Sequence, residues 1–386
     1  MAVSASYRIL FLSACVIFAS AQQNRSSGRM FKVVEGSDID QVVKDILQSS
    51  LTTVFLPIIY IIVFVLGLPS NAMAIWVLLF RSKKIHPSAI YMGNLALADL
   101  MFVIWTPLKI AYHLKGNNWT YGEGMCKVLV GFFYGNMYCS ILFITCLSVQ
   151  RYWVCAHPLS QQRKNNKIAI IVSVCIWIFI GVSTTPLYLY QQTFESTELN
   201  ITTCHDISLV SQKNYLTGNM FQDVQLPYYY FMVMAGLAFF IPMFVIIAAY
   251  ALLLRSLGKS AIEGSASKTR QRAVVLIVTV LITFLVCFIP SNVMLVVHYS
   301  VQEKSWANNS YGFYITTLCL ASLNSCLDPF IYYYVSDEFR EHVKNTLLCR
   351  SSRTVDRMRV SFSSMKYSKK NNRYTSSTGA TESSTC

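Results

Sequence analysis

The chain has 386 residues, of which 54% are hydrophobic and only 13% charged, and it carries a net charge of +14. A soluble globule of this size needs a more highly charged surface, so the composition excludes a soluble protein and indicates a membrane protein. The Lys and Arg residues cluster in segments that fall on one side of the membrane if seven apolar stretches alternate in direction. This placement follows the positive-inside rule, and it argues against a nucleic-acid partner for the basic charge.

Residues 1–21 have the pattern of a secretory signal peptide, with Arg8 before an apolar run and small residues at 19–21. The apolar run is shorter than the roughly 20 residues that a spanning helix needs, and the alternative is a short additional anchor. The signal and the basic clusters both place the N-terminus outside the cell. Residues 22–51 are therefore predicted to form a polar extracellular arm.

The seven apolar stretches predict an all-α membrane protein, a seven-transmembrane helix bundle over residues 52–334. A channel or transporter is an alternative, but neither repeated halves nor a pore pattern is visible. The loop 191–225 is much longer than the other connections, and loops of that length are usually functional or disordered. The predicted spans are, in chain order, 52–80, 87–114, 122–155, 164–190, 226–256, 269–299 and 310–334.

A short amphipathic helix is predicted over residues 335–349, where Phe339 and Val343 stand four residues apart beside basic residues. Such a helix would lie on the membrane lipid at the inner face. Cys349 at its end is either a palmitoylation site or a free cytosolic thiol. The tail 350–386 is rich in Ser, Thr, Lys and Arg, so it is predicted to be disordered and to offer hydroxyl groups for phosphorylation.

The cysteines and the glycosylation sequons agree with this topology. Cys126 and Cys204 are the cysteines of the mature chain at predicted extracellular positions, and one pair in an oxidising compartment predicts one disulfide. Every sequon falls on a predicted extracellular segment, and the four acceptors are Asn24, Asn118, Asn200 and Asn308.

Polar residues stand at mid-membrane depth in several spans, where an ionisable side chain is costly and usually functional. Asp99 and Asp328 need a counter-charge or protonation if they meet in the bundle. Oxygen ligands suit a hard cation, so one interpretation is a sodium site and the alternative is a water-filled network with one carboxyl group protonated. The residues of this predicted cluster are Asp99, Ser140, Asn324 and Asp328.

Motifs on all seven spans, in order, resemble those of the rhodopsin-like G-protein-coupled receptors over about residues 52–349. They are GLPSN at 67–71, LALAD at 95–99, Cys126, VQRY at 149–152, Trp177, Pro242, Tyr250, FLVCFIP at 284–290 and DPFIY at 328–332. The resemblance implies that sodium favours an inactive state. It also implies that a heterotrimeric G protein is engaged through a switch formed by Arg151, Tyr250, Phe288 and Tyr332.

Two positions depart from the pattern of that family. Gln150 stands where the family has an acidic residue before Arg151, so the resting state lacks its usual adjacent ion partner. Phe288 stands in span six where Trp is commoner. We therefore expect a weaker resting-state lock, or one that uses another acceptor.

A narrower resemblance is to the proteinase-activated receptors. It rests on TTCHD at 202–206, on NVMLVVHY at 292–299 and on GFFYGNMY at 131–138, and one subtype also has Asn-Arg-Ser-Ser before its cleavage arginine, as at 24–27 here. The family resemblance implies a plasma-membrane receptor whose own N-terminus, once cut by a trypsin-like serine protease, becomes a tethered ligand. It further implies Gq-type coupling and calcium release, with receptor kinases and arrestin acting on the tail.

The predicted cut follows Arg29, which lies in the small, flexible sequence Ser-Gly-Arg, and trypsin-like proteases cut after basic residues. The new end would be a tethered ligand with an ammonium on Met30, and the following residues differ from those of the similar subtype. Arg25 and Lys32 are competing sites, and an arm with a chance arginine is the alternative. The tethered ligand comprises Met30, Phe31, Lys32 and Val33.

The tether has ample reach, because about 21 residues join Met30 to Leu51 and would extend to ~70 Å. In the predicted pocket, Asp206 would pair with a cation of the ligand and aromatic rings would hold Phe31 and Met30. An interfacial aromatic belt is the alternative for many of the tyrosines. The predicted ligand-binding residues are Tyr60, Tyr134, His205, Asp206, His298, Tyr299, Tyr311 and Tyr314.

The sequence thus predicts a receptor and not an enzyme, because no nucleophile–base pair or metal cluster appears at usable spacing. The rival hypothesis within the receptor class is a conventional G-protein-coupled receptor for a diffusible peptide, which would need no cleavage.

Overall fold

A computed structural model describes eleven stretches of the chain. These are 31–32, 41–80, 86–156, 166–189, 192–205, 208–209, 229–260, 267–300, 306–335, 339–341 and 343. The predicted signal peptide, Arg29 with its neighbour Met30, and the tail therefore lie outside the described residues.

The described spans form a helical bundle close to the predicted boundaries. Within the described ranges, six helices are long and apolar enough to cross a membrane. The helical spans are Leu51–Phe80, Pro87–Leu114, Gly122–Ala156, Asn166–Leu189, Tyr229–Ser256, and a sixth that begins with Ser267–Thr283 and ends with Ile289–Ser300.

The seventh span consists of two helices, Trp306–Ala321 and Asn324–Val335, which are separated by a turn at Ser322. Each half alone is too short to cross a bilayer, but 30 residues of helical rise extend about 45 Å. The break lies beside Asn324, so it places polar backbone and side chains at the level of the buried carboxylates.

Wide helical turns precede four of the prolines. The π-helical segments Leu51–Phe55, Val63–Gly67, Ala235–Phe240 and Phe284–Phe288 end two residues before Pro57, Pro69, Pro242 and Pro290. Proline lacks an N–H group, and its ring clashes with the carbonyl one turn earlier. A wider turn relieves that clash, which explains why spans one, five and six contain these segments.

The outer surface of the bundle is apolar, as lipid requires. Leu79 is 70% exposed and Phe244 is 63% exposed, among many exposed apolar side chains on the described spans. An aqueous surface would not leave such a continuous apolar face, so it marks the region in contact with lipid. The interior instead buries Asp99, Asn324 and Asp328 completely.

Two small sheets cover the extracellular end. Strands β2 (Thr193–Ser196) and β3 (Ile201–Cys204) form an antiparallel hairpin in the loop after span four. Strand β1 (Phe31–Lys32) of the arm pairs in parallel with strand β4 (Ser208–Leu209) of the same loop.

The arm also contains the helix Gln41–Gln48, which was not predicted from the sequence and which we call the arm helix. Val43 and Leu47 stand four residues apart on one face and are both buried. The part of the arm next to span one is therefore folded against the bundle rather than a free coil.

The segment after the seventh span forms a separate unit of the chain. Residues 339–341 and 343 are helical, which agrees with the predicted helix over 335–349. Cys349 lies outside the described residues, and its palmitoylation stays a prediction.

Candidate functional site

The second extracellular loop is fixed to the top of span three. Cys204 forms a disulfide with Cys126, as the sequence predicts. Glu123 in the first turn of span three accepts hydrogen bonds from the backbone N–H groups of Gln192 and Thr193, at 2.7 and 3.0 Å. These contacts hold His205, the residue after the disulfide, over the centre of the bundle.

An aromatic cluster beneath this loop contains four of the eight predicted ligand-binding residues. His205 packs edge-on against Tyr134 of span three, with 5.3 Å between the ring centroids. The Tyr134 hydroxyl lies 3.3 Å from that of Tyr314 on span seven, and His298 of span six stacks on Tyr314 at 4.4 Å. All four side chains are at least 98% buried, so spans three, six and seven meet here through rings.

The remaining predicted pocket residues lie apart from this cluster or outside the description. Tyr60 of span one stacks on His113 of span two, with ring centroids 5.7 Å apart, and Tyr311 is buried in span seven. Tyr299 lies in the helix at the end of span six, but its side chain is not among those described. Asp206 lies outside the described residues.

A small cavity extends the site between spans one, two and three. The sequence reading missed most of its lining, including Lys109, which is 4% exposed although it carries a charge. A lysine within an otherwise apolar span was the signal that would have identified it. The cavity is lined by Tyr60, Phe102, Trp105, Thr106, Lys109, Leu129, Phe133 and His205.

Asp99 in the membrane interior has three hydrogen-bond partners that are not among the predicted cluster residues. Asp99 Oδ1 accepts hydrogen bonds from Asn136 and Ser325, both at 2.8 Å. Tyr332 donates to Asp99 Oδ2 at 3.4 Å. Asn71 Nδ2 donates to the Ser325 carbonyl oxygen at 2.8 Å, so one hydrogen-bond network links spans one, two, three and seven.

The other half of the predicted cluster has an unused oxygen atom. Asn324 Nδ2 donates to Ser140 Oγ at 2.9 Å. Asn324 Oδ1 is buried and accepts no hydrogen bond from a described residue, and the buried carboxyl group of Asp328 interacts with that of Asp99. Asp99 adds a second carboxylate nearby, so this set of oxygens fits a hard cation such as sodium.

The predicted switch residues extend from the cytosolic end of spans three and five into the membrane interior, where Tyr332 contacts Asp99. Tyr250 of span five accepts a hydrogen bond from Ser148 Oγ of span three at 2.9 Å, one turn above the half-buried Arg151. Phe288 is fully buried in a wide turn of span six and packs edge-on against Phe284, with centroids 5.1 Å apart. A hydroxyl contact thus joins spans three and five next to Gln150, where the acidic residue is absent.

The described glycosylation acceptors differ in accessibility. Asn200 is exposed in the β2–β3 turn with a backbone φ of 49°, a left-handed conformation that Asn tolerates. Asn118 is half-buried, and its Oδ1 accepts a hydrogen bond from Thr202 N at 3.1 Å. Asn308 lies in a helix, but its side chain is not among those described. Asn24 lies outside the described residues.

Comparison with known proteins agrees with this geometry. Residues 70–332 match the 7 transmembrane receptor (rhodopsin family). Proteinase-activated receptor 2 of Mus musculus is 53% identical over 358 residues, which cover 93% of this chain and 87% of that receptor.

Two further relatives bear the same family name. Proteinase-activated receptor 2 of Homo sapiens is 54% identical over 346 residues, 90% of this chain and 85% of that receptor. Proteinase-activated receptor 1 of Xenopus laevis is 39% identical over 315 residues, 81% of this chain and 71% of that receptor. The chain therefore belongs to the rhodopsin family of seven-transmembrane receptors and, within it, to the proteinase-activated receptors.

Proposed function

We propose that this chain is a plasma-membrane receptor that a trypsin-like serine protease activates by cutting after Arg29. The observation that carries the proposal is the parallel pairing of Phe31 with Ser208 and of Lys32 with Leu209. The strand that begins two residues after the proposed cut is therefore already aligned with the second extracellular loop. Addition of a strand to an exposed loop strand is a common way to recognise a peptide.

Cleavage would add to this pairing a charge that the uncut chain lacks. The new ammonium would be on Met30, one residue before the paired strand, and we propose the Asp206 carboxylate as its partner. Ser208 follows His205 by three residues, a distance of about 10 Å in extended chain. The new end would thus reach the aromatic cluster of His205, Tyr134 and Tyr314 without a large movement of the arm.

The aromatic cluster supports a route from the ligand to the membrane interior. Tyr134 stacks on Tyr138 one turn deeper in span three, with centroids 6.3 Å apart. Asn136 on the same helix donates to Asp99. A ligand that binds one arrangement of span three more tightly would therefore shift the population of the buried polar cluster.

Signal output would involve the cytosolic ends of spans three, five and six. We propose that Arg151, Tyr250, Phe288 and Tyr332 rearrange and admit a heterotrimeric G protein of the Gq type, which releases calcium. The phosphorylated tail would then bind arrestin and end the signal, since a cut cannot be reversed.

A sodium ion is the proposed occupant of the buried oxygens. Asp99, Ser140, Asn324 and Asp328 would hold it, and its single positive charge would offset one of the two carboxylate charges and favour the resting arrangement.

The direct test is Arg29→Ala, with Arg25→Ala as the matched control, in cells that lack related receptors. We expect trypsin to release calcium through the parent and Arg25→Ala, and to have no effect through Arg29→Ala. N-terminal sequencing of the cut receptor should give Met30. A response that survives Arg29→Ala, or a new end at Val33, would contradict the proposal and favour a diffusible ligand or another cut.

A further inference from the structure

The arm helix is attached to the bundle by contacts that neither the family motifs nor the ligand pocket require. Val43 is fully buried, and Leu47 is 2% exposed. Ile46 Cδ1 lies 3.5 Å from the position that a Cβ on Gly312 of span seven would take. The apolar face of the helix is thus in close contact with the outer half of span seven.

The first extracellular loop caps the C-terminal end of this helix. Asn117 Nδ2 donates to the Leu47 carbonyl oxygen at 2.6 Å and to Thr52 Oγ1 at 2.9 Å. Asn117 is 1% exposed and has a left-handed φ of 62°, and its Oδ1 lies 2.6 Å from His113 Nδ1. Helix-terminal carbonyls need such partners, so this side chain fixes where the helix ends.

The second extracellular loop contacts the same helix by charge. Lys44 forms an ion pair with Glu198, which lies in the β2–β3 turn. The Lys44 side chain is 11% exposed and that of Glu198 is 54% exposed. The arm therefore meets the second loop twice, through this ion pair and through the β1–β4 pairing.

This attachment shortens the part of the arm that separates the cut end from its attachment to the bundle. A coil from Met30 to Leu51 has about 21 residues, whereas about 11 residues separate Met30 from the fixed helix at Gln41, so the maximum reach falls from ~70 to ~36 Å. Effective concentration falls roughly as the −3/2 power of linker length, so the shorter tether raises it about threefold.

We propose that the arm helix is a positioning element, which holds the base of the tether on both loops so that the cut end is delivered to the second loop. Lys44 and Leu47 are its positioning residues. They act on the tethered ligand and not on a ligand that arrives from solution. The inference rests on the proposed function, because it requires a ligand released by cleavage.

The test compares Leu47→Asp with Gln48→Asp, which places the same carboxylate at the neighbouring, exposed position of the helix. Two inputs are measured at matched surface expression: calcium release per receptor cut by trypsin, and calcium release by a free Met-Phe-Lys-Val-Val peptide. We expect Leu47→Asp to lower the response per cut about threefold or more and to leave the peptide response unchanged. Gln48→Asp should change neither.

A charge exchange provides a milder second test that spares the buried face. Lys44→Glu and Glu198→Lys should each reduce the response per cut, by less than Leu47→Asp, and the double variant should restore it. Equal loss for both inputs would show a merely structural role, and an unchanged response per cut in every variant would overturn the inference. A trypsin response that survives Arg29→Ala would instead overturn the proposed function.

Discussion

The extracellular mouth and the membrane interior of this receptor are built from different kinds of contact. At the mouth, segments far apart in the chain meet through loops, and the partners are partly exposed, as Lys44 and Glu198 are. In the interior, side chains on membrane-spanning helices meet at a single buried group, Asp99. Ligand capture therefore depends on how the loops are held in place. Switching depends on the small number of hydrogen-bond partners that are available to a buried charge.

The energetic consequences of the two designs differ in the same way. Water can replace a lost partner at an exposed contact, so substitutions at the exposed polar contacts of the mouth should be mild. A buried polar group that loses its partner bears the full desolvation cost. Loss of the covalent link should therefore have the greatest effect, and a change at the exposed rim the least.

The covalent link of the mouth should give the largest effect. Cys204→Ser breaks the disulfide with Cys126. Loss of a native disulfide typically costs about 2–5 kcal/mol. We expect reduced surface expression, a lower thermal midpoint of the purified receptor and no response to the free peptide, because His205 loses its anchor. The control is Cys175→Ser, an exposed cysteine on span four. An unchanged midpoint in Cys204→Ser would contradict the prediction.

A buried amide in the interior should come next. Asn71 Nδ2 donates to the carbonyl oxygens of Gly67 and Ser325, at 3.0 and 2.8 Å, and so joins span one to span seven. Asn71→Ala leaves the Ser325 carbonyl without this donor, at a cost of about 1–3 kcal/mol. Ser70→Ala removes a hydroxyl that bonds only within its own helix and should be nearly neutral. Equal thermal midpoints for the two variants would show that the buried amide does not stabilise the interior.

The interior could be predicted from the sequence because its residues stand out from their surroundings. Asp99 and Asp328 are carboxylates within apolar helices, and helical spacing together with family motifs indicates that they face one another. Asn136 and Ser325 were missed because polar uncharged residues within a span are common. Which of them reaches Asp99 depends on helix rotation, which periodicity leaves undetermined.

The mouth was predicted less completely for a physical reason. The contacts there join Leu47 with Asn117 and Lys44 with Glu198. These are ordinary residue types for a solvated arm and for loops, and their spacing in the sequence does not identify the partner of each. The arm helix has only eight residues, which is too short to be stable alone, so its formation depends on tertiary burial that the sequence does not display. The disulfide was the exception. The predicted topology places only Cys126 and Cys204 outside the cell, so their pairing could be predicted.

A cation bound at the buried carboxylates would stabilise the interior and leave the contacts at the mouth unchanged. If sodium binds at Asp99 and Asp328, it stabilises the resting state by about 1 kcal/mol at five times its dissociation constant. We expect the thermal midpoint to rise as sodium chloride replaces choline chloride at constant ionic strength. Asp328→Asn should abolish the rise. A rise of the same size in that variant, or no rise in the parent, would exclude the site.

The smallest effect is expected at the rim of the mouth. Glu123 accepts hydrogen bonds from Gln192 N, Thr193 N and Thr193 Oγ1 and lies 3.5 Å from Lys127, yet its side chain is 33% exposed. Glu123→Gln keeps the shape and one acceptor oxygen and removes the charge. Because water reaches this side chain, the cost should stay at or below about 1 kcal/mol. The measurement is the thermal midpoint in low and in high salt, since the charged part should shrink as salt screens it. A loss of stability as large as that of Asn71→Ala would mean that the rim behaves like the buried interior. The two regions would then differ only in their contacts with the arm.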